Sequence, residues 1–84
     1  MAPHLTLTRQ VEHGIADLVA LGVPLSRAAR LVGVPADTAR YWYSLSQTSD
    51  AAHWHRFRET IETARLEHEL RVQRRLAEIR RDFD

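Results

Sequence analysis

The sequence predicts an all-α protein. Apolar residues recur at helical spacing, Gly-Val-Pro tripeptides separate the first periodic segments, and residues 51–83 contain neither glycine nor proline. We expect one domain of three short helices at residues 1–46. A helical segment at residues 47–84, either one long helix or a helical hairpin, should come after it.

The first helix is predicted from Arg9 to Leu21. Thr8 precedes it, and a threonine hydroxyl at this position can accept a hydrogen bond from an amide of the first turn. The residues that recur at helical spacing and predict one apolar face are Val11, Ile15, Leu18 and Val19.

The tripeptide Gly-Val-Pro occurs twice, at residues 22–24 and 33–35. Glycine suits the left-handed position just past the end of a helix, and proline suits the start of the next helix because it has no N–H to donate. The repeat therefore predicts a short second helix at Arg27–Val32, with Ser26 as its N-cap. A third helix should begin at about Ala36 and end at about Ser46.

The last helical segment begins after a turn in which Ser49 or Asp50 can act as its N-cap. A single helix over residues 51–83 would be about 50 Å long, and a break within residues 64–72 would turn it into a hairpin. Its apolar residues occur in steps of three and four, which is a heptad-like pattern with a local shift of phase. The residues assigned to subunit contacts are Trp54, Phe57, Ile61, Ala64, His68, Val72, Leu76, Ile79 and Phe83.

The second and third helices have the features of a helix-turn-helix motif. Ala28 and Ala29 provide small side chains where two steeply crossed helices must touch, and Gly33 provides a turn residue that tolerates positive φ. The apolar residues expected to hold the two helices together are Leu25, Val32, Val34, Ala39 and Trp42. A compact three-helix bundle without any DNA-binding role is the alternative.

In a helix-turn-helix protein the third helix would lie in the major groove of DNA. Arg40 is the best candidate to read a base, because its guanidinium can bond guanine O6 and N7, and Tyr41 could stack or reach a phosphate. Asp37 could accept from a cytosine or only complement the helix dipole. Arg27 and Arg30 are candidates for phosphate contacts, or simply a solvated face. The DNA-binding candidates are Arg27, Arg30, Ala36, Asp37, Arg40, Tyr41 and Ser44.

The charge of the chain is nearly balanced. All twelve basic residues are arginines, and the net charge is +1 over residues 1–45 and zero over residues 46–84. The strongly basic stripe that is typical of nucleic-acid binders is therefore absent from the sequence. This argues against tight DNA binding by one copy, and less against an oligomer in which weak contacts add.

Several other functions lack the residues that they require. There is no cysteine, no phosphate-binding glycine loop, and no histidine pair with the spacing of a zinc protease helix, so we expect neither an enzyme nor a cofactor or metal. No apolar run approaches the roughly 18 residues of a membrane span, and the N-terminus lacks the apolar region of a signal peptide. We expect no membrane partner and a cytoplasmic protein.

The stretch AARLVGVPADTARYW resembles the Ala-Ala…Gly-Val-Ser-x-x-Thr-x-x-x-Trp pattern of phage small terminase subunits and related phage helix-turn-helix proteins. The stretch FRETIETARLEHELRVQRRLAEI is similar to the next segment in that family, so the resemblance covers roughly residues 9–80. Pro35 stands where the family usually has a serine.

The resemblance implies a specific role. The N-terminal domain would bind viral double-stranded DNA at a packaging site, and the helical segment would assemble copies into a ring. The large terminase ATPase would be a further partner, and the location would be the host cytoplasm.

Two alternatives stay open at this point. The protein could be a helix-turn-helix transcription regulator or a transposase helper protein that acts as a dimer, or it could be an assembly module without DNA binding. A ring of many subunits would favour packaging, whereas a two-fold dimer would favour a regulator that reads a palindrome.

Overall fold

The computed structural model describes residues 6–83, which form four α-helices. They are α1 (Arg9–Ala20), α2 (Leu25–Leu31), α3 (Ala36–Thr48) and α4 (Ala52–Phe83). All regular secondary structure in these residues is helical, which confirms the predicted all-α class. The longest dimension of the molecule is 58 Å, and α4 alone accounts for about 48 Å of helix.

Helix α1 begins where the sequence predicts it. The Thr8 hydroxyl accepts a hydrogen bond from the N–H of Val11 at 3.1 Å and so caps the first turn. The helix buries Ile15 and Val19, as its apolar spacing predicts. It also buries Glu12, whose Oε2 has no hydrogen-bond partner and lies 3.8 Å from Nε of Arg9.

The two Gly-Val-Pro tripeptides end α1 and α2 in the same way. Gly22 and Gly33 have φ of +99° and +90°, which confirms the left-handed positions that the sequence predicts. In each case the glycine N–H and the following valine N–H donate to carbonyls of the last turn; Val23 donates to Leu18 and Val34 donates to Ala29. This pair of bonds is the Schellman motif, which satisfies carbonyls that the helix itself leaves unpaired.

The proline of each tripeptide starts the next helix. Pro24 and Pro35 occupy the N-cap positions of α2 and α3, and their carbonyls accept from the N–H groups of Ala28 and Ala39. The predicted N-cap role of Ser26 is therefore wrong, because α2 begins at Leu25, two residues earlier than expected. Proline fixes φ near the value a helix start requires, so the backbone begins the helix without a side-chain cap.

Helix α3 continues two residues beyond its predicted end, to Thr48. The turn between α3 and α4 is held by Ser49, whose hydroxyl accepts from the N–H of Ala51 at 3.2 Å. The carbonyl of Ala51 in turn accepts from Trp54 and His55, so α4 starts at this turn.

Helix α4 is one uninterrupted helix of 32 residues, not a hairpin. Its first half packs against α1 and α3 and contributes Phe57, Ile61 and Ala64 to the core, each at most 4% exposed. The core therefore crosses the predicted boundary between residues 1–46 and 47–84. The assignment of these three residues to subunit contacts is corrected, because they are covered by helices of their own chain.

Candidate nucleic-acid interface

The contact between α2 and α3 is built from small side chains. Ala28, Ala29 and Ala39 are completely buried, and Val34 in the turn is 4% exposed. Larger residues at these positions would push the two helices apart. The burial agrees with the sequence-based expectation, and Leu25 and Val32 pack against this core while remaining partly exposed.

Most of the predicted DNA-binding side chains share the solvent-exposed surface of α2 and α3. Tyr41 is 62% exposed. Ala36 is half-buried at the start of α3. The exposed members of the set are Arg27, Arg30, Asp37, Arg40, Tyr41 and Ser44.

Arg40 is not free on this surface, because its Nη2 donates to Oδ1 of Asp37 one turn earlier in α3. Both side chains are mostly exposed, so the pair contributes less than about 1 kcal/mol to stability. Asp37 is also the acidic residue of the first turn of α3, where a carboxylate complements the helix dipole. Asp37 thus interacts both with Arg40 and with the N-terminal end of α3, and its negative charge lies beside Arg40, the residue predicted to read a base.

A polar cluster fixes α3 against α4. The Tyr43 hydroxyl donates to Glu62 and accepts from Arg65, both at 3.2 Å, and the Arg65 guanidinium lies 5.1 Å from the centre of the Tyr43 ring. Arg58 donates to the same Glu62 carboxylate from one turn away. The spacing of Arg58 and Glu62 on one helix is a local signal, whereas the role of Tyr43 could not be found from the sequence because its partners are 19 and 22 residues away.

Aromatic packing fixes the same helix from its buried side. Trp42 of α3 is 4% exposed and meets Phe57 of α4 edge to face, with ring centres 6.3 Å apart. Trp54 contacts Phe57 in the same edge-to-face manner and is half-buried. Because α3 is held on two sides, its exposed face has a fixed direction relative to α2 and α4.

The second half of α4 leaves the core. We call residues Val72–Phe83 the tail. Just before it, Arg71 donates to the carbonyl of Ala20 at 3.1 Å, and the half-buried His68 packs on Gly22. The predicted oligomerisation residues Val72, Leu76, Ile79 and Phe83 are 41%, 49%, 40% and 86% exposed.

Among residues 6–83 no helix is long and apolar enough to cross a membrane. The same residues contain no group of three or more histidine, aspartate or glutamate side chains placed to hold a metal ion. No family model matches the chain, and no curated protein or solved structure matches it.

Proposed function

We propose that this protein is a small terminase-like DNA-recognition protein. It binds viral double-stranded DNA through α2 and α3, assembles into a ring and delivers the DNA to a packaging motor, the large terminase ATPase. This takes place in the host cytoplasm and requires no catalysis by this chain.

One observation carries this proposal: α3 presents an exposed face with Arg40 and Tyr41, while Trp42 on its buried face and Tyr43 on its flank hold the helix against α4. A helix that reads bases must keep one orientation relative to the helices that contact the DNA backbone. The buried alanines between α2 and α3 and the aromatic contacts to α4 supply that rigidity. Arg27 and Arg30 on α2 are exposed beside it and are suited to phosphate contacts.

The balanced charge of the chain favours an assembled form of the binder. Three exposed arginines on α2 and α3, with Asp37 among them, give one copy only a weak electrostatic attraction to DNA. Copies held together bind one DNA molecule with an effective concentration that multiplies weak individual contacts. DNA recognition and assembly through the α4 tail therefore support each other in this proposal.

The test is duplex binding measured by fluorescence anisotropy at low salt, with specific and random sequences. Arg40→Ala should cost about 1–3 kcal/mol for the specific site and reduce discrimination, because it removes a base contact. Arg27→Ala should weaken binding to all sequences alike and lower the salt dependence, because it removes a phosphate contact.

Arg56→Ala is the matched control, since Arg56 is also exposed but lies on α4. If Arg40→Ala and Arg27→Ala bind every duplex as the wild type does, the assignment of α3 as the reading helix is refuted. A wild-type protein that forms only two-fold dimers would favour the transcription regulator instead.

A further inference from the structure

The tail of α4 carries an apolar ridge that nothing in residues 6–83 covers. Val72, Leu76, Ile79 and Phe83 fall within roughly 60° of one another around the helix, at 100° per residue. They are 40–86% exposed, and the last turn of the tail projects beyond the body of the protein. Four large apolar side chains in one line on an exposed helix mark a contact surface.

A groove lies on the body, between α1 and the first half of α4. Its volume is about 410 Å³. Small side chains of Ala16, Ala20 and Ala64 line it, together with the carboxylates of Asp17, Glu59 and Glu67. Small residues let the side chains of an incoming helix approach closely, as ridges pack into grooves between helices.

We propose that the tail of one copy docks into the α1–α4 groove of the next copy. The inference rests on the proposed function and deepens it, because it names the contact through which the DNA-binding copies assemble. The occupant is a second copy of this chain, and its ridge from Val72 to Phe83 supplies the apolar side chains that the groove lacks.

The charges favour this pairing over a pairing of two tails. Residues 72–83 carry four arginines and two acidic residues, whereas the groove is lined by three carboxylates and His13. A tail in the groove thus brings opposite charges together, and two tails side by side would bring together two surfaces of net positive charge. Arg71, at the end of the groove, is engaged with the carbonyl of Ala20 at the C-terminal end of α1.

The position of the groove on α4 determines the symmetry. The groove residues of α4 and the ridge of the tail lie roughly 160° apart around the helix axis. If two copies exchanged tails, the ridge and the groove of each α4 would both have to face the same partner. They lie on nearly opposite sides of one straight helix, so a reciprocal exchange between two copies is impossible. Each copy gives its tail to one neighbour and receives a tail from another, and such head-to-tail contacts close into rings or continue as filaments.

One further exposed leucine is explained by the same contact. Leu70 is 47% exposed and lies away from the ridge, on the side of α4 that continues the groove towards the tail. Leu70 lines a smaller depression together with Glu67, which is also a groove residue. A tail that runs along the groove covers Leu70.

The test uses two variants and their mixture, measured by native mass spectrometry without DNA. The groove variant carries Asp17→Arg and Glu59→Arg, and the tail variant carries Leu76→Asp and Ile79→Asp. All four positions are exposed in the single chain, so both variants should still fold, which a helical circular dichroism spectrum and a cooperative thermal melt would show. A control variant reverses one exposed carboxylate that lies outside the groove, the tail and the DNA-binding set, Asp50→Arg.

The wild type and the control should form assemblies larger than dimers. Each variant alone should be a 9.7 kDa monomer, because every copy of it has either a disrupted groove or a disrupted tail. Their equimolar mixture should form a one-to-one pair and nothing larger, since only the tail of the groove variant and the groove of the tail variant remain intact. This result would support the inference and exclude a contact between two tails.

Other outcomes would overturn the inference. A groove variant that keeps the wild-type mass would show that the groove is not the assembly contact, and a mixture that stays monomeric would show that the tail does not bind the groove. A monomeric wild type would remove assembly altogether. If these masses show the expected pattern but no duplex binds, the proposed DNA function fails while the assembly contact stands.

Discussion

Replacing Gly22 by alanine should destabilise the fold more than the same change at Gly33. At Gly22 an added Cβ would lie 2.6 Å from Cε1 of His68, which is closer than non-bonded carbon atoms approach. The residue also has φ of +99°, a conformation that costs an L-amino acid about 1–2 kcal/mol. The alanine variant therefore bears both a backbone cost and a displaced histidine ring.

Gly33 provides a matched control, because it ends α2 with the same motif and φ of +90° but has no atom within 4 Å of an added Cβ. Gly33→Ala should thus lose only the backbone cost. Overpacking a well-packed core typically costs about 1–3 kcal/mol, and since His68 is only half-buried, a further cost near the lower end, about 1 kcal/mol, is expected. In a chain of this size that difference lowers the Tm of Gly22→Ala by about 4–8 °C relative to Gly33→Ala.

Thermal unfolding followed by circular dichroism measures both variants. The double variant Gly22→Ala/His68→Ala isolates the contact. Once the imidazole is removed, Gly22→Ala should destabilise the chain less than it does in the wild type, so the double variant should lose less stability than the sum of the two single variants. Equal losses for Gly22→Ala and Gly33→Ala, or strict additivity in the double variant, would refute the packing of His68 on this turn.

Two further predictions concern α4 and α3. Ile61→Asp should unfold the chain, because it buries an unpaired charge at a position with no exposure. Ile79→Asp, at a 40% exposed position, should leave the chain folded. Thermal melts in which Ile79→Asp loses more stability than Ile61→Asp would contradict the burial of Ile61 in the core. Asp37→Asn should strengthen binding to all DNA sequences by about 1 kcal/mol, roughly fivefold, because it removes the negative charge paired with Arg40. Anisotropy titrations check this, and an unchanged or weaker affinity would argue against phosphate groups near α3.

The local chemistry of the helix ends could be predicted from the sequence. Thr8, Gly22 and Gly33 behave as expected, because a cap or a left-handed turn depends on the residue and its immediate neighbours. The prediction of Ser26 as an N-cap was wrong although it rests on the same local rules, because Pro24 already occupies the N-cap position of α2.

The partner of each apolar residue in α4 could not be predicted. Helical periodicity shows which side chains share a face, but it does not show whether that face meets the same chain or another one. Phe57 and Ile61 are covered by α1 and α3, whereas Leu76 and Ile79 on nearly the same face are exposed. The sequence signal near the point where α4 leaves the core is the local shift of phase in the apolar spacing of residues 51–83.

The candidate site shows the same division between local and distant contacts. The pair of Asp37 and Arg40 could have been found from their spacing of three residues on a helix. The cluster of Tyr43 with Glu62 and Arg65 depends on how α3 lies against α4, which is a tertiary property. Exposure of Arg40 and Tyr41 agrees with a binding face, and their contact with DNA stays a prediction.

The tail connects the fold of one chain to the formation of the assembly. Isolated helices of about twelve residues are marginal in water, because few hydrogen bonds offset the entropy of ordering the chain. The tail of α4 avoids the cost of nucleation, since it extends a helix that Phe57 and Ile61 already fix in the core. It still exposes Leu76 and Phe83 to water, so its last turns gain little from packing within one chain. A neighbouring groove would supply that packing, and assembly should therefore stabilise the end of α4 as well as join the copies.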